Sequence, residues 1–87
     1  MPDESYSELQ AHLAQHPDAG DIIEGSGGIR KLRRKLPGTG KRGGVRVIYF
    51  WRVAEAQILM LTVYRKADKD DLTEPQKRLL RRIVENW

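Results

Sequence analysis

Two apolar segments that lie four residues apart constrain the fold of this chain most strongly. The segment "VRVIYFWRV" (45–53) is rich in β-branched and aromatic residues, and "ILMLTVYRK" (58–66) follows after "AEAQ". This composition predicts two strands, and a connection this short favours antiparallel pairing. A third strand is predicted at "IRKLRRKL" (29–36), where residues alternate between two faces. One face carries Lys31, Arg33 and Lys35, and the other carries Arg30, Leu32, Arg34 and Leu36.

Two helices are predicted at the ends of the chain. In "SYSELQAHLAQHP" the spacing of Ser5 and Glu8 is that of a capping box, and Pro17 ends the helix. In "TEPQKRLLRRIVENW" Thr73 is the predicted N-cap, with Gln76 completing a second capping box. The loop before the first strand is predicted to contain a short extended piece at 22–23. The expected fold is one α+β domain over residues 1–87, with an N-terminal helix, an antiparallel sheet of three or more strands and a C-terminal helix.

The composition excludes several classes of protein. The chain has no cysteine, so disulfides, thiolate zinc sites and thiol nucleophiles are excluded. Its longest apolar run, "ILMLTV" (58–63), is too short to span a membrane. The N-terminus lacks the basic start and apolar run of a signal peptide. We therefore expect a cytoplasmic protein that does not act in a membrane.

Positive charge is concentrated in one segment. The net charge is +4, but residues 29–53 contain nine basic residues and no acidic one, which leaves seven basic and twelve acidic residues elsewhere. Such a concentration favours a polyanionic partner over a merely solubilising surface, because solubilising surfaces usually mix both signs.

Glycines within this segment match G-x-G-x-x-G at Gly38, Gly40 and Gly43. A dinucleotide-binding loop must lead into a helix, whereas a strand follows here. A P-loop needs Ser or Thr after its lysine, and Arg42 follows Lys41. The stretch is therefore predicted to be a basic, glycine-rich connection between two strands.

The remaining candidate site is a group of cations. If the strands pair as predicted, Arg46 lies close to Lys31 and Arg33, and the end of the last strand brings Tyr64, Arg65 and Lys66 to the same end of the sheet. Such a group suits a phosphodiester, whose negative charge grows during attack by a 2′-hydroxyl. It suits acid–base catalysis poorly, because arginine stays protonated and lysine needs a strongly lowered pKa.

The consecutive aromatic residues 49–51 alternate faces, so Tyr49 or Phe50 is expected in the core and the others are candidates for stacking on bases. His12 and His16 lie four residues apart but lack a third ligand at motif spacing, so a metal site is not predicted.

Several blocks of this sequence occur in order in a known family. "AHLAQHPDAGDIIEGSGGIRKLRRKLPGTGKRGGVRVIYFW" and "ILMLTVYRKADKDDLT" resemble the RelE/HigB toxins of type II toxin–antitoxin systems, in the branch with the pattern GxGGxRKxR … GKRGGxRxIYY … LLxxYxK … DL. The resemblance covers roughly residues 5–85. It implies a RelE-like domain that enters the ribosomal A site and cleaves mRNA, without metal or cofactor, to leave a 2′,3′-cyclic phosphate. It also implies neutralisation by a HigA-like helix-turn-helix antitoxin.

The resemblance assigns roles to matching positions. Lys31 and Arg33 would hold substrate phosphates and ribosomal RNA, and Arg46 would stabilise the scissile phosphate. Lys66 would be a second cation that protonates the leaving 5′-oxygen. The surrounding residues expected to contact RNA or the ribosome are Arg30, Arg34, Lys35, Lys41, Arg42, Tyr64 and Arg65.

The chain departs from the family in two places. Some RelE toxins have a tyrosine after the last strand, where this chain has Leu72. Family members also begin with a β-strand before the first helix, whereas this chain begins almost at the helix, which predicts a sheet with one strand fewer and an exposed edge. The alternative hypothesis is therefore a non-catalytic relative: a gyrase-inhibiting toxin, or an inactive remnant that binds its antitoxin.

Overall fold

The computed structural model describes residues 3–34, 44–66 and 71–87, with side chains from Tyr6 onward. Its elements are α1 (Asp3–Gln15), β1 (Asp21–Ile22), β2 (Ile29–Arg34), β3 (Val45–Arg52), β4 (Gln57–Arg65) and α2 (Glu74–Glu85). The predicted glycine-rich connection, with Lys35, Lys41 and Arg42, lies outside the described residues. No helix within the described ranges is long and apolar enough to cross a membrane.

The four strands form one antiparallel sheet in the order β1-β2-β3-β4. This confirms the predicted α+β class and the pairing of the three longer strands. The short β1 begins at Asp21, one residue before the predicted extended piece. It adds a fourth strand because Asp21 and Ile22 pair with Lys31 and Arg30 at the edge of β2.

The helix boundaries confirm one of the two predicted capping boxes. At α2, Thr73 N donates to Gln76 Oε1 at 2.9 Å, and Gln76 N donates to Thr73 Oγ1 at 3.3 Å. The predicted start of α1 at Ser5 is wrong, because the helix already begins at Asp3. Serine and glutamate at this spacing also occur inside helices, so the pattern alone does not fix the first residue.

The two helices cover opposite faces of the sheet, so β3 is enclosed between them. On one face Leu9 and Leu13 of α1 pack with a cluster of β3 residues: Val45, Val47 and Tyr49. On the other face Leu80 and Val84 of α2 pack with a second cluster: Ile23, Ile29, Ile48 and Leu72. Side chains that alternate along a strand therefore point to two different cores. We call these sides the α1 face and the α2 face.

Tyr49 joins the turn after α1 to the centre of the sheet. Its side chain is fully buried, as was expected for Tyr49 or Phe50. Its hydroxyl donates to Pro17 O at 2.7 Å and accepts a hydrogen bond from Gly20 N at 2.9 Å. A Cβ atom on Gly20 would lie 2.9 Å from the Tyr49 ring and 3.0 Å from Lys31 O, so no larger residue fits without movement. Glycine is thus required at position 20, because the Tyr49 ring and Lys31 O both lie close to it.

A β-bulge interrupts the pairing of β3 with β4. Tyr49 lies opposite Met60, whereas Ile48 lies opposite Thr62, so Leu61 has no partner on β3. One extra residue in a strand reverses which face each later residue occupies. Beyond Leu61, the side chains of β4 therefore follow a different alternation from those before it.

Candidate nucleic-acid interface

Three polar side chains form a row across the sheet on the α2 face. Arg33 of β2 lies directly opposite Arg46 of β3, and Arg46 lies directly opposite Tyr64 of β4. Cβ atoms of residues directly opposite one another in an antiparallel pair are about 4.5–5.5 Å apart. Lys31 lies two residues before Arg33 and shares its face. The register thus brings together Lys31, Arg33 and Arg46, as the sequence predicted, and we call these residues with Tyr64 the basic row.

The bulge decides which β4 residue joins the basic row. With regular pairing from Met60 onward, Val63 would lie opposite Arg46 and Tyr64 would point to the α1 face. Because Leu61 is the additional residue, Tyr64 lies beside Arg46 and packs against the α2-face cluster. The alternation of the sequence alone does not reveal this position.

Arg46 is buried although it carries a positive charge. Only 5% of its surface is exposed, and no carboxylate within residues 3–34, 44–66 and 71–87 forms an ion pair with it. Removing an ion from water is costly unless an opposite charge compensates. An arginine can meet a phosphate through two parallel hydrogen bonds, which makes a phosphate group a suitable counter-ion here.

The basic row borders a cleft between the sheet edge and the start of α2. Its volume is about 560 Å³, and its charged lining consists of Asp21, Glu24, Lys31, Arg33, Asp71 and Lys77. Ligand sites typically measure about 300–1,000 Å³, so the cleft has the size of a binding site. Within it, Lys31 Nζ lies 3.4 Å from Asp71 Oδ1. Sequence reasoning missed both Asp71 and Lys77, because they follow the last strand in sequence and only the path of the chain returns them to β2.

Other predicted RNA-contacting residues lie on the α1 face. Arg34 and Arg65 are both opposite Val45, a residue of the α1-face cluster. Arg30 shares the face of Arg34, and its Nη1 donates to Gly20 O at 2.7 Å. Its guanidinium also lies 5.8 Å from the ring centre of Trp51. Arg30 thereby stabilises the turn after α1, and it is separated from the basic row by the thickness of the sheet.

Lys66 directly follows β4 at the same end of the sheet. Its N–H donates to Gly44 O at 3.4 Å, and its side chain is exposed. Gly44 precedes Val45, so this contact brings Lys66 to the start of β3, near Arg46 in the chain. Lys66 thus lies at the end of the sheet that carries the basic row.

Two of the three candidate base-stacking residues and both histidines contact other parts of the protein. Tyr49 is buried, and the rings of Phe50 and Trp87 meet edge to face with centres 6.3 Å apart. The rings of His12 and His16 lie 5.4 Å apart, and no group of three metal-ligating side chains occurs among the described residues.

No protein-family model matches the sequence. The functional interpretation therefore rests on the geometry of the basic row.

Proposed function

We propose that this protein is a cytoplasmic toxin of the RelE/HigB kind, an endoribonuclease that cleaves mRNA in the ribosomal A site. The observation that carries the proposal is the placement of Arg33 directly opposite the buried Arg46. Like charges at such positions destabilise a sheet, so the arrangement favours a role in binding an anion. The row fits a phosphate of an RNA chain better than a cofactor, because the sequence lacks a nucleotide-binding loop.

The chemistry follows from where charge develops in RNA cleavage. The 2′-hydroxyl gives up its proton to water, its oxygen forms a bond to phosphorus, the bond from phosphorus to the 5′-oxygen breaks, and the non-bridging oxygens gain negative charge between these events. Fixed cations beside those oxygens stabilise the transition state more than the ground state. In this proposal Arg46 and Arg33 supply that charge, Lys31 holds a neighbouring phosphate, and Lys66 protonates the leaving 5′-oxygen. The products are a 2′,3′-cyclic phosphate and a 5′-hydroxyl.

The composition of the row also supports a requirement for the ribosome. Arginine does not give up its proton at neutral pH, and lysine acts as a base only when its pKa is strongly lowered. The row can therefore stabilise charge but offers few groups to activate the 2′-hydroxyl. Holding the attacking and leaving atoms in line contributes a large part of such a reaction. We infer that the ribosome supplies this alignment by fixing the mRNA.

A second candidate function rests on Leu72. Where some RelE toxins place a tyrosine, this side chain is 8% exposed and belongs to the α2-face cluster. It offers no hydroxyl and no ring to the substrate. This observation favours the non-catalytic alternative, in which the same surface binds an acidic segment of a HigA-like antitoxin.

Primer extension on mRNA in a translating extract tests the proposal. We expect codon-specific cuts with the natural protein and at least about a hundredfold fewer with Arg46→Ala, which is the typical effect of losing one transition-state donor. Arg78→Ala removes an exposed arginine on α2 and should leave the cuts unchanged. Thermal unfolding of each variant shows whether it is folded.

Two outcomes would contradict the proposal. Intact mRNA combined with inhibition of DNA supercoiling would assign the protein to the gyrase-inhibiting relatives. Rapid degradation of naked RNA by the purified chain would remove the requirement for the ribosome.

A further inference from the structure

Asp71 lies beside the basic row and is anchored there by the core. Its Oδ1 is 3.4 Å from Lys31 Nζ and accepts a hydrogen bond from Leu72 N at 2.8 Å. Leu72 is buried in the α2-face cluster, so the backbone that carries the carboxylate is held in place. Asp71 is therefore a fixed negative charge next to a cation of the candidate site.

The carboxylate of Asp71 is ionised at neutral pH. Burial raises the pKa of Asp71, but the hydrogen bond from Leu72 N–H and the positive charges of Lys31 and Lys77 outweigh it and lower the pKa below its ordinary value. In the free protein the carboxylate thus neutralises part of the charge that would attract a phosphate.

We propose that Asp71 is an internal competitor for phosphate: its carboxylate pairs with Lys31 in the free protein, and an RNA phosphate replaces it on binding. This inference rests on the proposed function in one respect, namely that the basic row binds RNA phosphates. Asp71 then acts through Lys31, as a positioning residue that sets affinity and keeps the lysine side chain directed into the cleft.

The surroundings of the pair allow such an exchange. The side chain of Lys31 is 25% exposed and that of Asp71 is 52% exposed, so both are within reach of solvent and ligand. Ion pairs with this exposure contribute little stability, and breaking one is easily offset. Arg33 and Lys77 line the same cleft and add two cations for the incoming phosphate, although Asp21 and Glu24 line it as well. The competition therefore weakens binding without preventing it.

Binding of a fluorescent, 2′-O-methylated single-stranded RNA at low salt tests the inference, because the methyl group blocks cleavage. Asp71→Asn removes the charge but keeps an oxygen that accepts from Leu72 N–H. We expect it to bind the RNA about two- to fivefold more tightly, in line with the small strength of an exposed ion pair. Glu85→Gln is the matched control, because Glu85 pairs with Arg81 at 2.8 Å outside the cleft. It should change affinity clearly less.

The same substitutions in a Lys31→Ala background separate local competition from a general charge effect. We expect Asp71→Asn to give no gain when Lys31 is absent. An equal gain in both backgrounds, or no gain in the natural background, would overturn the inference. If Lys31→Ala leaves RNA binding unchanged, the basic row itself is not the phosphate site and the proposed function fails at that point. Thermal unfolding confirms that each variant is folded.

Discussion

Arg33 and Arg46 face each other directly across β2 and β3, and Arg46 is almost entirely buried. Two like charges in this position oppose the pairing of the strands. Among the described residues, no ion pair with a carboxylate relieves Arg46. The pair thus lowers the stability of the sheet in the free protein, as is common where a site must bind a charged ligand.

Replacing Arg33 should therefore affect the stability of the fold and the binding of RNA in different ways. We expect Arg33→Gln to leave the free energy of unfolding unchanged or slightly higher, because the repulsion with Arg46 is removed. The same change should weaken binding of single-stranded RNA by about tenfold, the loss of one charge-assisted contact. Urea unfolding and fluorescence anisotropy measure the two quantities.

The matched variant for this experiment is Arg34→Gln, one residue along the same strand. Arg34 lies on the α1 face, away from Arg46, so its replacement should reduce RNA binding less. Equal losses for the two variants would show that both faces of the sheet contact RNA.

Tyr49→Phe should destabilise the protein by about 1–3 kcal/mol. The substitution keeps the ring but leaves Gly20 N–H and Pro17 C=O without their buried partner, and the cost of an unsatisfied buried group has this size. Tyr6→Phe provides the comparison, because Tyr6 is exposed and should change stability by less than about 0.5 kcal/mol. Urea unfolding at neutral pH measures both. A Tyr49→Phe protein as stable as the natural one would show that the hydroxyl bonds contribute nothing.

Titration of Tyr49 should lower the stability of the folded protein in alkali. Burial raises the pKa of Tyr49 above the ordinary value of 10.0, although the hydrogen bond with Gly20 and the charge of Arg30 oppose the change. The folded protein therefore keeps this proton when the unfolded chain has lost it. The contribution of Tyr49 to the free energy of unfolding is complete below pH 10 and is lost as the pH rises through the pKa of the folded state.

Urea midpoints measured from pH 8 to pH 11 test this dependence. The midpoint of the natural protein should fall more steeply above pH 10 than that of Tyr49→Phe, which has no phenol at this position. Lysine titration affects both proteins alike, so the difference between the two curves isolates Tyr49. Parallel curves would contradict the prediction.

Gly20→Ala should also lower stability, by about 1–3 kcal/mol, as expected for overpacking. The added methyl group would lie 2.9 Å from the ring of Tyr49 and 3.0 Å from Lys31 O, and a backbone atom has little freedom to move away. Thermal or urea unfolding measures the effect. Gly25→Ala is a useful comparison, because nothing lies within 4 Å of its added Cβ and only its positive φ of 75° opposes the change.

Local patterns in the sequence predicted much of the fold and part of the site. The alternation of β2 correctly separated Lys31 and Arg33 from Arg30 and Arg34, because side chains in a strand alternate strictly. The capping box at Thr73 fixed the start of α2, since both of its hydrogen bonds join residues three positions apart.

Features that depend on distant parts of the chain were not predictable. The ion pair of Lys31 with Asp71 and the hydrogen bonds of Tyr49 with the turn after α1 join residues far apart in sequence. No local pattern marks such partners. The start of α1 was misplaced for a different reason, because a capping-box spacing also occurs inside helices and does not by itself fix the first residue.

The bulge at Leu61 makes the identity of the site depend on how β4 pairs with β3. If the same sequence paired regularly from Met60 onward, Val63 would replace Tyr64 beside Arg46, whereas deletion of Leu61 would remove the bulge and leave Tyr64 in place. A β4 of unchanged length but without the bulge would therefore preserve every cation and still present an aliphatic side chain to the phosphate. When related sequences are aligned with this chain, a gap at Leu61 is thus compatible with an unchanged site, because it removes only the residue that has no partner.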